Sequence, residues 1–283
     1  MTSDDASQRR SYWAAQMDEA YAFMQRIGQY PVRECAEPVA SLREAVAGSG
    51  VEVVFSDTLI AGTFPRLFFL REGLIPAFLE AARDLNRRGW LLRVEDGYRT
   101  TEMQRHLSLT PAVLDRILAK VLWEFDGRLP AAEVIFRRLS ALTATTPKTG
   151  THMSASAMDI SVLRLDDRVE VDRGAPYLEM SELTPMGSPF VSAEGTRHRG
   201  LITLAMGRHG FLPYPYEFWH YNQGDAYDEM LTGSGKPGRY GAVDVDLANG
   251  RVSPTAAPLE SLHTPEAFQK ALDEALQRRH AGA

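Results

Sequence analysis

Cysteine is almost missing from this 283-residue sequence, which contains only Cys35. A single cysteine excludes an intrachain disulfide and a cysteine-rich zinc site, so any metal centre has to use histidine and carboxylate ligands. We expect Cys35 itself to be a small buried apolar residue. Basic charge is not in excess either: the formal net charge is −6, whereas a general nucleic-acid-binding protein usually carries a basic face. We therefore expect no nucleic-acid partner.

Long apolar runs are absent too. The longest stretches, such as residues 67–70 and 201–206, are far too short to span a bilayer, so we expect no membrane partner. The polar residues 1–10 contain no apolar signal-peptide core, which favours a cytoplasmic location, although a mature fragment without its signal would look the same. The sequence also contains no Gly-rich phosphate loop and no serine nucleophile elbow. No feature predicts an oligomeric state.

The composition is that of a soluble globular protein, with 44% hydrophobic and 24% charged residues, enough to build a sizeable core. Helical and strand periodicities locate the main elements. The predicted helices are residues 13–27, 76–88, two or three pieces within 100–142, 192–208 and 265–279. The predicted strands are residues 51–55, 90–94, 157–163 and 217–221. Because strands and helices are mixed without regular alternation, we predict an α+β fold with a small, mainly antiparallel central sheet flanked by helices.

Two short segments carry the residues that point to chemistry. The segment THMSASAMD contains His152 and Asp159, and the segment YEFWHY contains Glu217 and His220. Hydrolytic zinc sites take three histidine or carboxylate ligands and keep the fourth position for water. An unligated carboxylate beside the metal can then accept the proton of the attacking water. The candidate ligands are therefore His152, Asp159 and His220, and Glu217 is the candidate general base.

Spacing alone leaves other interpretations open. Residues seven apart point to opposite faces of a regular strand, so we expect His152 in the loop before a strand and Asp159 inside that strand. The Glu217 to His220 segment must likewise twist or bulge if both side chains are to face one metal. As an alternative, Glu217 and His220 could form a buried hydrogen-bonded pair without a metal.

The two segments resemble those of the M15 family of zinc peptidases, in its D-alanyl-D-alanine dipeptidase branch. His152, Ala157 and Asp159 match the first family pattern, and a Trp219-containing Glu-Phe-Trp-His run matches the second, with Phe218 in place of a Trp. The family's Asp-Gly-Tyr-Arg turn occurs at residues 96–99, and a Met-Gly-Ser-Pro-Phe run occurs at 186–190. The resemblance covers roughly residues 51–221.

The resemblance implies one Zn²⁺ per chain, bound by His152, Asp159 and His220, and a small peptide or amide as substrate. It implies that Glu217 acts as base and then as acid toward the leaving amine, and that Arg99 stabilises the oxyanion. The alternative for Arg99 is a structural ion pair with Glu95 or Asp96. In domain terms we expect a helical arm at residues 1–50 packed on the core, a catalytic core at 51–223, and an extension at 224–283 with a final helix.

Three positions depart from the branch. Ala155 replaces a Gly, Gly150 replaces a Ser, and Val191 replaces an Asp; the last two help the family to recognise a free substrate amine. Without them a buried ammonium loses its compensating groups, unless a nearby residue such as Glu194 substitutes. The chain is also longer than a compact dipeptidase, chiefly at residues 110–146 and after Gly224, and these additions either reshape the cleft or lie at the periphery.

We therefore predict zinc-dependent hydrolysis of a peptide or amide bond, like that of a D-Ala-D-Ala dipeptidase or carboxypeptidase, with altered recognition of the substrate amine. One alternative is a zinc amidohydrolase of a specialised pathway that acts on an amide outside peptidoglycan. Another is a zinc-binding relative without turnover, against which the retained Glu217 argues, because a purely structural zinc site needs no free carboxylate base.

Overall fold

The computed structural model describes residues 3–281, so Met1, Thr2, Gly282 and Ala283, at the ends of the expected arm and extension, lie outside the described residues. The helices are α1 (Ser3–Gln29), α2 (Leu42–Val46), α3 (Ile75–Arg87), α4 (Thr101–Ser108), α5 (Pro111–Glu124), α6 (Ala132–Leu142), α7 (Ala193–Gly207), α8 (Ala226–Thr232) and α9 (Pro265–Ala281). The strands are β1 (Val39–Ser41), β2 (Val53–Phe55), β3 (Phe69–Arg71), β4 (Trp90–Asp96), β5 (Ala157–Arg164), β6 (Leu212–Pro213), β7 (His220–Asn222), β8 (Val243–Asp246) and β9 (Arg251–Pro254). Short 3₁₀ turns occur at Glu72–Leu74, Pro147–Thr149 and Thr151–Ser154.

The central sheet has the strand order β2-β4-β5-β7-β6. Strand β2 runs parallel to β4, and the other neighbours are antiparallel, so the predicted α+β fold with a mainly antiparallel sheet is confirmed. Helices α3 and α7 cover one face, where buried residues such as Phe78, Val94 and Ile160 form an apolar core. Because side chains alternate along a strand, Met158 and Ile160 of β5 enter this core while Asp159 points to the opposite face.

Local signals in the sequence explain where several of these elements begin and end. Helix α3 has Pro76 in its first turn, where a missing N–H costs nothing, and it is followed by Gly89 with a φ of +75°. Helix α7 begins after Ser192, whose side chain accepts a hydrogen bond from the backbone N–H of Gly195. The predicted break near Pro111 and the one at residues 127–130 are confirmed by the ends of α4, α5 and α6.

A second core lies among α1, α5, α6, α8 and α9, which we call the helical layer. Helix α1 buries Trp13, Met17 and Ile27 in this core, at the helical spacing that predicted it. Helices α5 and α6 pack against each other and against α1. The 110–146 addition is therefore part of a well-packed layer.

Two expectations are corrected by the structure. The strand predicted at residues 217–221 is shorter, because the backbone N–H of His220 donates to the carbonyl of Glu217 in a turn and β7 begins only at His220. Cys35 is exposed and free, not buried: it lies in the irregular segment between α1 and β1, where the backbone pairs with Arg239 but the side chain is not covered. No helix among residues 3–281 is long and apolar enough to cross a membrane.

Candidate metal centre

Three neighbouring strands place acidic and histidine side chains side by side. In the antiparallel pairs, Asp159 of β5 lies opposite Asp96 of β4 on one side and opposite His220 of β7 on the other. The register between β4 and β5 shifts between Val94 and Asp96, where β4 contains one extra residue. Such a bulge redirects the following side chain, which lets Asp96 face the same side as Asp159.

His152 reaches the same place from a turn. It lies in the 3₁₀ turn Thr151–Ser154 just before β5, as the parity argument required, while Asp159 lies inside the strand. The turn ends at Ala155 in the left-handed conformation, with a φ of +53°. This is the position at which the family has Gly, so Ala155 costs roughly 1 kcal/mol or more of backbone strain that a Gly would avoid.

The three predicted ligands come together and are buried. The Nε2 atom of His152 lies 3.2 Å from Oδ1 of Asp159, and Nδ1 of His220 lies 2.9 Å from the same oxygen. One ligand atom from each of the three residues lies within 4.8 Å of those of the other two. Ligands about 2 Å from a tetrahedral zinc ion stand roughly 3.3 Å apart, so two imidazoles and one carboxylate at these separations fit zinc in both chemistry and size.

The atoms that face away from this centre are each held by a second partner. Nδ1 of His152 donates to the carbonyl of Gly97 at 2.6 Å, and Nε2 of His220 pairs with the hydroxyl of Thr151 at 2.8 Å. The hydroxyl of Tyr177 donates to Oδ2 of Asp159 at 2.9 Å. Such partners fix which nitrogen of each imidazole, and which oxygen of the carboxylate, faces a metal. Both ring nitrogens of His220 are engaged in this way, so the alternative Glu217–His220 pair is not formed.

Arg99 is both ion-paired and part of the site. Its Nε donates to Asp96 at 2.7 Å, Nη1 donates to Gln104 at 3.1 Å, and Nη2 lies 3.5 Å from Oδ2 of Asp159. Asp96 also pairs with Arg66 at 3.1 Å. Burial opposes the charge on Arg99, but the Asp96 and Asp159 carboxylates outweigh it and raise the pKa of Arg99 above its ordinary value. The ion pair expected as an alternative role is thus formed with Asp96, and it leaves Arg99 facing the cavity.

Gly97 shows why the Asp-Gly-Tyr-Arg turn has a glycine. A Cβ added at this position would lie 2.7 Å from the backbone carbonyl oxygen of Leu67, which is too close for any other residue. The close approach allows the turn to pack tightly against His152. The Gly97 carbonyl accepts a hydrogen bond from the His152 ring, and the backbone N–H of Arg99 donates to the His152 carbonyl.

Glu217 lies in the turn before β7 and lines the same cavity as the three ligands, but it is not a member of their group. The turn is held from outside by the backbone N–H of Met186, within the Met-Gly-Ser-Pro-Phe run, which donates to the carbonyl of Pro215. Burial, and then the negative charge of Asp159, raise the pKa of Glu217 well above its ordinary value, while Arg99 acts in the opposite direction. A carboxylate in such surroundings accepts a proton readily.

The site opens into a cavity of about 310 Å³ between the sheet and the helical layer. The 110–146 addition and the residues after Gly224 both contribute side chains to its lining, among them Val113, Leu142 and Tyr227. Both segments therefore form part of the cavity wall. Gly150 lines the cavity, whereas Val191 and Glu194 are not among its lining residues.

The remaining histidines lie outside the metal centre. His198 is buried: its Nδ1 pairs with the carbonyl of Asp172, and its ring packs edge-on against Trp90. His209 follows the end of α7 and pairs with Asp84 at 3.0 Å. Among residues 3–281, the group of His152, Asp159 and His220 is the one with the geometry to hold a metal ion.

Comparison with known proteins agrees with this site. The family model Peptidase M15, described as D-ala-D-ala dipeptidase, matches residues 65–233, which is more than half of the chain. The protein belongs to the M15 peptidase family. M15 peptidases are zinc-dependent, and the cofactor expected from the sequence is zinc, for which the three-residue site has the donors.

Two solved structures match this chain at low sequence identity. One is the vancomycin resistance D,D-pentapeptidase VanY from a VanB-type cassette in complex with Zn(II), with 16% identity, 71% of this chain and 93% of that chain covered, and a TM-score of 0.34. The other is the LD-carboxypeptidase LdcB, which is 15% identical. The match covers 74% of this chain and 79% of the LdcB chain, with a TM-score of 0.37. No curated protein matches the chain.

Proposed function

We propose that this metallopeptidase is a zinc-dependent amide hydrolase, like a D-Ala-D-Ala dipeptidase or carboxypeptidase, whose recognition of the substrate amine is altered. The observation that carries the proposal is the position of Glu217. Its carboxylate shares a cavity with the three ligand atoms but does not belong to their group. A partly buried, unligated carboxylate beside a metal centre suits proton transfer, and a purely structural zinc site would not need it.

In the proposed mechanism, His152, Asp159 and His220 hold the zinc ion, which when bound supplies Lewis-acid activation of water and of the scissile carbonyl. Glu217 removes a proton from the attacking water, and the oxygen of that water bonds to the carbonyl carbon. When the C–N bond breaks, Glu217 delivers the same proton to the leaving amine. The products are a carboxylic acid and an amine, with water consumed.

Arg99 is the proposed oxyanion-stabilising residue. Three of its five N–H donors are engaged by Asp96, Gln104 and Asp159, which leaves two for the substrate oxygen. The engaged donors hold the guanidinium in place before the reaction. A preorganised cation in a site that excludes water stabilises the developing negative charge without reorganisation at that moment.

The amine-binding positions support the altered specificity. A Cβ at Gly150 would lie 3.2 Å from both the Ala144 Cβ and the Met153 sulfur, so even a small side chain is tight there. Val191 packs its Cγ1 atom onto the backbones of Gly174 and Gly195, and an added Cβ at those glycines would approach it to 2.5 and 2.9 Å. The side chains at these two positions offer no acceptor to an ammonium group.

The lack of acceptor side chains at Gly150 and Val191 also favours a second candidate within this proposal, a zinc amidohydrolase acting on an amide outside peptidoglycan. Glu194, which could have replaced the missing acid, is exposed on α7 and near Arg197 and His198 instead of the cavity. A substrate without a free amine would not require a carboxylate at that place.

The test compares kcat/KM of the zinc-loaded protein for D-Ala-D-Ala and for N-acetyl-D-Ala-D-Ala. Each missing charge-assisted hydrogen bond costs the free dipeptide about 1.5 to 3 kcal/mol, or roughly one to two powers of ten, so the N-acetyl substrate should be cleaved faster. A strong preference for the free dipeptide would show that another group recognises the amine. Failure to hydrolyse either substrate, or other amides of similar size, would favour the non-catalytic alternative.

A further inference from the structure

One part of the helical side of the cavity presents mainly carbon and sulfur atoms to whatever binds there. Side chains from four helices and one loop line this side, and we call them the apolar wall: Met24 of α1, Leu107 of α4, Val113 of α5, Leu142 of α6 and Met180. Met24 and Leu142 are buried, and the other three are half-buried. Only the opposite side, formed by the strand ends, presents the metal centre and the ion pairs.

The apolar wall continues to the position where the family binds the substrate amine. Ala144 lies two residues after the end of α6, lines the cavity and would be 3.2 Å from a Cβ at Gly150. A group attached to the amino side of the scissile bond would therefore meet the methyl group of Ala144 and, beyond it, the apolar wall.

The charged residues around the cavity also indicate a substrate without a free ammonium group. The carboxylates among its lining residues are Asp96, Asp159 and Glu217. Asp96 is already paired with two arginines, and the other two belong to the metal centre and its base. The exposed Arg116 adds a further cation to the lining. This balance disfavours an ammonium group and permits a neutral one.

We propose that the apolar wall binds an apolar acyl group on the amino side of the scissile amide, so that the substrates are short N-acylated dipeptides. This inference rests on the proposed function, since the wall is placed relative to the bond that the metal centre cleaves. The cavity of about 310 Å³ is near the small end of ligand pockets, which suits a dipeptide with one short acyl chain. Hydrolysis would release the C-terminal amino acid and the N-acyl amino acid.

The first experiment measures kcat/KM for D-Ala-D-Ala carrying acetyl, butanoyl, hexanoyl or octanoyl groups on its nitrogen. Each methylene that the wall removes from water should raise kcat/KM about fourfold, until the cavity is filled. A flat or falling series would overturn the proposal.

The second experiment asks whether the named side chains cause the trend. Val113→Asn places a polar group on the wall and should reduce the ratio of the octanoyl to the acetyl rate constant. The matched control is Val169→Asn, a position that is 50% exposed and outside the cavity lining, which should keep the wild-type ratio. Thermal melts establish that each variant folds. If Val113→Asn does not fold, Leu107→Gln replaces it and should reduce the same ratio of rate constants. A ratio unchanged in the folded wall variant would overturn the proposal.

Binding separates failure of the wall from failure of the proposed hydrolysis. Calorimetry on the zinc-loaded Glu217→Gln variant compares N-octanoyl-D-alanine with N-acetyl-D-alanine. Tighter binding of the octanoyl compound supports the apolar wall even if the wild-type protein cleaves nothing. Equal binding of the two compounds overturns the wall, whatever the hydrolysis experiments show.

Discussion

The strand ends and the helical layer face each other across one cavity, and they are built from different kinds of side chain. On the strand side, His152, Asp159 and His220 are each fixed by a second hydrogen-bond partner. On the helical side, residues such as Val113 and Leu142 contribute apolar contact. The strand side carries the family's motifs, whereas the apolar wall of the helical side contains none of the motif residues. We infer that the chemistry and the choice of substrate are carried by separate parts of the chain.

The sharpest way to break this comparison is to remove the metal ligands. In a His152→Ala, His220→Ala double variant we expect the zinc to be lost, because one carboxylate alone cannot form the site. Zinc sites in proteins reach binding free energies on the order of 10 kcal/mol, so this is the largest expected effect. Elemental analysis of purified protein provides the measurement. His280→Ala, an exposed position on α9, is the control, and zinc that stays in the double variant would refute the ligand assignment.

A substitution in the core of the helical layer should have the opposite result: it should lower the stability of the fold and leave zinc binding intact. Trp13 is 1% exposed in the core of that layer, and Trp13→Ala should cost about 3–5 kcal/mol of the free energy of unfolding through lost packing. The folded fraction should nevertheless keep its zinc, because Trp13 does not line the cavity. Chemical denaturation followed by metal analysis measures both. Trp13→Phe retains a ring and should lose less; an equal loss would mean that packing is not the cause.

A smaller effect should come from the partner of Asp159. Tyr177→Phe removes the hydroxyl that donates to Oδ2 of Asp159 and leaves the ring against Trp219. Removal of such a partner commonly weakens metal binding by about tenfold, or roughly 1.4 kcal/mol. Competition with a chelator at fixed pH measures the zinc affinity. Tyr12→Phe, at a tyrosine outside the cavity lining, serves as control, and unchanged affinity in Tyr177→Phe would show that Asp159 is oriented without it.

The sequence predicted the strand side of the cavity better than the helical side. His152, Asp159, His220 and Glu217 lie in two short segments whose order and spacing are distinctive, and the strand that carries Asp159 follows from its apolar run. The bulge before Asp96 and the turn before His220 were not predicted in detail, because they depend on how neighbouring strands pair.

The side chains missed by sequence analysis are those brought in by long-range packing. Tyr177 lies on an irregular loop between β5 and α7, where no periodicity marks it, and only the folded chain places its hydroxyl on Asp159. Thr151 precedes a predicted ligand, yet its bond to His220 spans 69 positions. Likewise, whether residues 110–146 would reach the cleft or stay at the periphery depended on how α5 packs against α1.

The central claim is that Glu217 transfers the proton and does not bind the metal, and the Glu217→Gln variant tests it most directly. The isosteric amide cannot take a proton from water, so hydrolysis of N-acetyl-D-Ala-D-Ala should slow by at least about a hundredfold. Glu194→Gln, an exposed position outside the cavity lining, should keep wild-type activity. The account predicts that Glu217→Gln retains about one zinc per chain while losing turnover. Loss of the zinc would make Glu217 a ligand, and retained turnover would mean that another group is the base; either result would contradict the account.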